Sequence, residues 1–154
     1  MTSLTCDVLN ALDGKTLVTA ESCTGGGIGS AITAIPGSSR VYKGGVISYT
    51  NAVKEMVLGV PGELLEDCGA VSSQVAMAMA QGVRQLLQAD VAVSVTGLAG
   101  PDGDDRGNPV GLVYIGYCDG CKLYGKEYHF SGSRETVRSS AIRAALEIIL
   151  QENS

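Results

Sequence analysis

The sequence predicts an α/β fold, a three-layer α/β/α sandwich built on a mixed, mostly parallel sheet. Two observations carry this prediction. Short β-branched runs (TLVTA, GVISYT, DVAVSVT) alternate with stretches whose apolar residues recur at helical spacing, the pattern of strands joined by crossover helices. Near the C-terminus two further strand-like runs meet at Asp119-Gly120, a hairpin signal that adds one antiparallel pair. At 154 residues, 45% hydrophobic and 18% charged, the chain has apolar material for one core and reads as a single domain over 1–154.

Each element has its own signal. Leu4, Val8, Leu9 and Leu12 make an amphipathic first helix, capped by Ser3 and ended by Asp13-Gly14. Thr16 to Ala20 reads as a buried strand, and Ile28, Ala31, Ile32 and Ile35 fall at i, i+3, i+4 and i+7 of a helix from Gly27. After a turn at Pro36 to Ser39, Gly45 to Thr50 is strand-like and Asn51 caps a short helix. Pro61-Gly62 opens a brief helix closed at Gly69, and Ser72 or Ser73 caps a long one through Ala89, striped with Val75, Met79, Val83, Leu86 and Leu87. Asp90 to Thr96 is a buried strand, Gly97 to Pro109 a glycine-rich acidic loop, and Val110–Cys118 with Lys122–Ser131 the hairpin. Ser133 caps a final helix with Val137, Ala141, Ala144, Ala145 and Ile148 at helical spacing.

Composition narrows the function. A net charge of −5, no Trp and one Phe argue against a protein that tracks a phosphate backbone and stacks bases, so no nucleic-acid partner is expected. No apolar run approaches the ~20 residues of a membrane span, so no membrane partner is expected either. The N-terminus lacks a charged region followed by an apolar one, and five irregularly placed cysteines suit reduced thiols. Both features lead to the expectation of a cytoplasmic protein.

The chemistry concentrates in TLVTAESCTGGGIGSAITAI, Thr16 to Ile35, where a strand turns into a helix through Glu21-Ser22-Cys23-Thr24 and three glycines. Such a turn aims free N–H groups and a positive helix end at the loop, where an anion or a developing oxyanion can settle. The nucleotide fingerprints fail. G-x-x-x-x-G-K-[ST] is absent, and a G-x-G-x-x-G begun at Gly25 meets Ser30 at its last position. Ser22, Cys23 and Thr24 each offer a nucleophile that needs a proton acceptor. The one histidine, His129, sits between Tyr128 and Phe130 in a hairpin strand, a structural setting. Lys54, in the first turn of a helix entered from a neighbouring strand, is the economical base if burial depresses its pKa. Thr96-Gly97-Leu98-Ala99-Gly100 follows another buried strand and should emerge at the same sheet edge. Cys118-x-x-Cys121 is explained by the hairpin turn, and Arg134 with Arg138 either clamps a phosphate or solvates a helix face.

Taken together, AESCTGG (20–26), PGSS (36–39), SYTNAVK (48–54), GAVS (69–72), TGLAGPDG (96–103), PVG (109–111) and the 132–138 segment resemble the CinA C-terminal domain, also known as the nicotinamide-nucleotide amidohydrolase or PncC family. The resemblance runs from about residue 4 to 150 and implies the stand-alone form. It also implies hydrolysis of the carboxamide of nicotinamide mononucleotide to nicotinate mononucleotide and ammonia, in pyridine nucleotide salvage, with no metal or cofactor. By position it implies Ser22 as nucleophile and Lys54 as base, with Tyr49 and Thr24 nearby. Substrate contacts are expected from Gly25, Gly26, Ser38, Ser48, Thr96, Gly97, Gly100 and, for the phosphate, Arg138. A non-catalytic nucleotide-binding regulatory module with the same pocket is the alternative, and a homo-oligomer, dimer or higher, is a possible assembly. Asn108 stands where the family often has Lys, and Ala52 where an acidic residue is common.

Overall fold

The computed structural model describes residues 1–154 as five strands and six helices. In chain order these are α1 (Thr2–Ala11), β1 (Leu17–Glu21), α2 (Gly27–Thr33), a 3-10 turn at Ser38–Arg40, β2 (Tyr42–Ile47), α3 (Asn51–Leu58), α4 (Gly62–Cys68), α5 (Ser73–Leu87), β3 (Val91–Gly97), β4 (Leu112–Cys118), β5 (Leu123–His129) and α6 (Arg134–Asn153). The strands form one sheet in the order β2-β1-β3-β4-β5. β1 pairs in parallel with β2 and β3, while β4 is antiparallel to both its neighbours. Four strands therefore share a direction and β4 alone opposes them.

The pleat of the central strands explains the three layers. Along β3, Val91, Val93 and Val95 join a core with residues of α1, α2 and α6, while Ala92 joins a second core with residues of α3, α4 and α5. Leu17 and Val18 of β1 divide in the same way. Because both faces are covered, these strands read as continuous apolar runs, as buried parallel strands do.

Several boundaries differ from the sequence reading. Met1 rather than Ser3 precedes α1, and Thr50 rather than Asn51 caps α3, its hydroxyl accepting from the Val53 N–H at 3.4 Å. Strand β2 starts earlier, at Tyr42, because it must run alongside β1 from Leu17 onward. Leu86 ends up exposed rather than in the α5 stripe. The hairpin tip is Gly120-Cys121, and Asp119 closes it by accepting the Cys121 and Lys122 N–H groups at 2.7 Å. Ser72 and Ser133 do cap α5 and α6, each accepting an N–H from the third helical residue.

Candidate active site

β1 is followed by α2 on one face of the sheet and β2 by α3 on the other, so the loops beyond the C-terminal ends of the parallel strands open a crevice. A cavity of about 700 Å³ lies there. Ser22 and Cys23 reach it from the end of β1, Thr96 to Gly100 from the end of β3, and Lys54 from α3.

Alternation along β1 continues past its last residue and sorts two adjacent side chains to opposite faces. Glu21 points toward α2, where its carboxylate accepts the Ile28 N–H at 2.8 Å, the Gly29 N–H at 3.0 Å and the Thr24 hydroxyl at 2.7 Å. The positive end of α2 is thus filled by the chain's own buried carboxylate. This corrects the expectation that an external anion would settle there. Ser22 points the other way, toward α3, and its own N–H extends the β1–β3 ladder by donating to the Val95 carbonyl at 3.0 Å.

Lys54 is 1% exposed and Ser22 7%. The lysine Nζ lies 3.0 Å from Ser22 Oγ, 2.7 Å from the Ser48 carbonyl and 3.4 Å from the Tyr49 carbonyl. A neutral amine has two N–H bonds and one lone pair. With the two carbonyls taking the N–H bonds, the lone pair faces the serine hydroxyl. Burial lowers the Lys54 pKa to about 8, so a neutral fraction exists near physiological pH.

The two rival nucleophiles lack this setting. Burial pushes the Cys23 thiol up to about 11, the wrong direction for a thiolate, and the Thr24 hydroxyl is fully buried and donates to Glu21. His129 lies on β5, exposed and paired with Glu127 at 2.8 Å.

The family is shown by sequence. The CinA C-terminal domain family matches residues 2–153. The chain belongs to that family. A CinA-like protein of Parasynechococcus marenigrum is 49% identical over 136 residues, covering 87% of this chain and 32% of that protein. The chain thus spans about a third of the length of such curated relatives. Among solved structures, the competence damage-inducible protein A of Klebsiella pneumoniae superposes with a TM-score of 0.96 at 36% identity, covering 98% of this chain and 95% of that one. The competence/damage inducible protein CihA of Agrobacterium tumefaciens does so at 0.95 and 38%, covering 99% and 95%.

Within this CinA-family fold the expected site residues fall into two groups. Ser22, Lys54, Tyr49, Thr96, Gly97 and Gly100 line the cavity, while Thr24, Gly25, Gly26, Ser38, Ser48 and Arg138 do not. Tyr49 is 62% exposed at the rim, and it is its backbone carbonyl that touches Lys54. The Thr96 hydroxyl donates to the Ala70 carbonyl at 2.8 Å, tying the cavity floor to the segment before α5. Ser48 contributes its carbonyl to Lys54, and its hydroxyl donates to the Glu21 carbonyl at 3.4 Å. Ser38 is buried in the 3-10 turn after α2. Gly25 and Gly26 have φ of +58° and +96°, which let the chain turn from Ser22 into α2.

Arg138, expected at the substrate's phosphate, does not line the cavity. Its Nε donates to the Cys23 carbonyl at 3.1 Å and its Nη2 to the Thr24 carbonyl at 3.0 Å, so the guanidinium is committed to the turn. The guanidinium that lines the cavity beside the dyad is Arg134, one helical turn earlier. It donates to the Gly100 carbonyl at 2.6 Å and to the Tyr49 phenol at 3.5 Å. Arg106 also lines the cavity, but it ties the long loop to α4 through the Glu66 and Asp67 carbonyls. Asp104 orders that loop by accepting from the Arg106 N–H and from the Asn108 N–H and Nδ2. The side chain of Asn108 is thereby used within the loop. The lining carboxylates are Glu55, Glu66, Asp102, Asp104 and Asp105.

Proposed function

We propose that this protein hydrolyses the carboxamide of nicotinamide mononucleotide to nicotinate mononucleotide and ammonia by a Ser-Lys mechanism. The observation that carries the reading is Lys54 Nζ, 3.0 Å from Ser22 Oγ with its remaining hydrogens held by two carbonyls. Ser22 Oγ attacks the amide carbon while its proton passes to Lys54. The tetrahedral intermediate collapses, the C–N bond breaks, and Lys54 hands that proton to the departing nitrogen, which leaves as ammonia. Water then attacks the acyl-serine and gives a proton to Lys54, which returns it to Ser22 Oγ as the acid is released.

The cavity suits such a ligand. Its volume of about 700 Å³ falls in the range of small-molecule sites. Its carboxylates complement the positive charge of a pyridinium ring, and Arg134 is placed to meet a phosphate. The Cys23 N–H, on the cavity wall just beyond the nucleophile, donates to no other residue and is available to an oxyanion.

Ammonia release from nicotinamide mononucleotide tests the reading. Turnover is expected in the wild type and at least ~10⁴-fold less in Ser22→Ala and in Lys54→Gln, as when a nucleophile or its base is removed elsewhere. Thermal melting of both variants should remain cooperative. Calorimetric binding of the mononucleotide with no ammonia released would instead indicate a nucleotide-binding module.

A further inference from the structure

The turn that follows the nucleophile is pinned through three successive carbonyls. Ser22 O accepts the Gly25 N–H at 3.1 Å, Cys23 O accepts Arg138 Nε, and Thr24 O accepts both Arg138 Nη2 and the Gly27 N–H at 3.0 Å. All three peptides are trans, so each carbonyl fixes the direction of the N–H on the other side of its plane. The N–H groups fixed in this way are those of Cys23, Thr24 and Gly25. Gly25 closes the turn, and the other two have no acceptor in another residue. Cys23 stands on the cavity wall next to Ser22. Arg138 reaches the Cys23 and Thr24 carbonyls from α6, more than a hundred residues away in sequence.

We propose that Arg138 is a positioning residue for the oxyanion hole: by gripping the Cys23 and Thr24 carbonyls its guanidinium locks the turn whose Gly25 N–H holds the Ser22 carbonyl, so that the Cys23 N–H beside the nucleophile is held ready for the developing oxyanion. The inference rests on the amidohydrolase reading. The planar fork suits the task, because Nε and Nη2 grip two adjacent carbonyls at a fixed separation, which a single ammonium cannot do. A positive charge on the Thr24 carbonyl also polarises that peptide, strengthening the Gly25 N–H that holds the Ser22 carbonyl. A preorganised donor acts chiefly on the transition state, so the effect belongs in kcat.

The test compares steady-state ammonia release from nicotinamide mononucleotide in the wild type, Arg138→Lys, Arg138→Gln and Arg134→Gln, with thermal melting of each. Both Arg138 variants are expected to lose about 10- to 100-fold in kcat, short of the ~10²–10³ for deleting a donor outright, because the Cys23 N–H remains but loses its aim. Their KM should stay within about twofold, and the pH midpoint of kcat/KM should stay with Lys54. Arg134→Gln should raise KM instead. In Arg138→Gly, added methylguanidinium should restore part of kcat. A rise in KM at unchanged kcat for the Arg138 variants would return Arg138 to the substrate's phosphate and overturn the proposal. A moved pH midpoint would overturn it in favour of an effect on Lys54. A wild type that releases no ammonia removes the amidohydrolase reading and this inference with it, whereas wild-type turnover with unaltered Arg138 variants removes the inference alone.

Discussion

Lys54 sets the pH at which the dyad can work. Its ammonium form has no lone pair for the Ser22 proton, so activity tracks the neutral fraction. With the pKa lowered to about 8 by burial, kcat/KM is expected to rise with pH through that value and level off above it, rather than continue rising toward the ordinary lysine range. A profile flat from pH 6 to 9 would remove Lys54 as the base. Glu21 acts on the other side of the same strand. In Glu21→Gln an amide N–H₂ must face either the Ile28 N–H and the Thr24 hydroxyl or the Gly29 N–H, and the charge on the α2 terminus is lost. The expected destabilisation is about 2–4 kcal/mol in urea unfolding. A loss below about 0.5 kcal/mol would mean that the carboxylate does not anchor the helix.

At the scale of elements, most of the fold was legible. The alternation of β-branched runs with helical stripes gave the layers, because buried parallel strands and amphipathic helices have different periods. Boundaries shifted where partners decide them, as for β2, whose start is set by pairing with Leu17 rather than by its own residues. The dyad was legible only in part. Ser22 and Lys54 could be matched by position, but that Glu21 faces α2 follows from the parity of the pleat, which depends on where β1 begins. Likewise Arg134 and Arg138 are equivalent as a sequence pair. The rotation of α6 against the sheet sends one guanidinium to the cavity and the other to the turn. The packing of α5 offers a test at this scale. A Cβ on Gly116 would collide with the Ala76 carbonyl and with Ser94 Oγ, which already donates to that carbonyl at 2.6 Å. Gly116→Ala is therefore expected to push α5 off the sheet and destabilise by about 1–3 kcal/mol, as overpacking does. An unchanged urea midpoint would show that the helix can slide.

For the molecule as a whole, the strand order sets how firmly each catalytic group is mounted. Ser22 follows β1, which has a neighbour on both sides, whereas Lys54 is carried by the helix after β2, an edge strand paired on one side only. The strand ends are joined where the Ser48 N–H donates to the Glu21 carbonyl at 2.7 Å. Edge elements belong to the units that open at the lowest free energy. The base and the nucleophile thus sit on opposite sides of an edge seam of the sheet. In low urea, amide hydrogens of β2 and α3 are expected to exchange with deuterium before those of β1 and β3. Turnover should fall over the same range, ahead of global unfolding, so that the protein loses its catalyst by fraying while its centre is still folded.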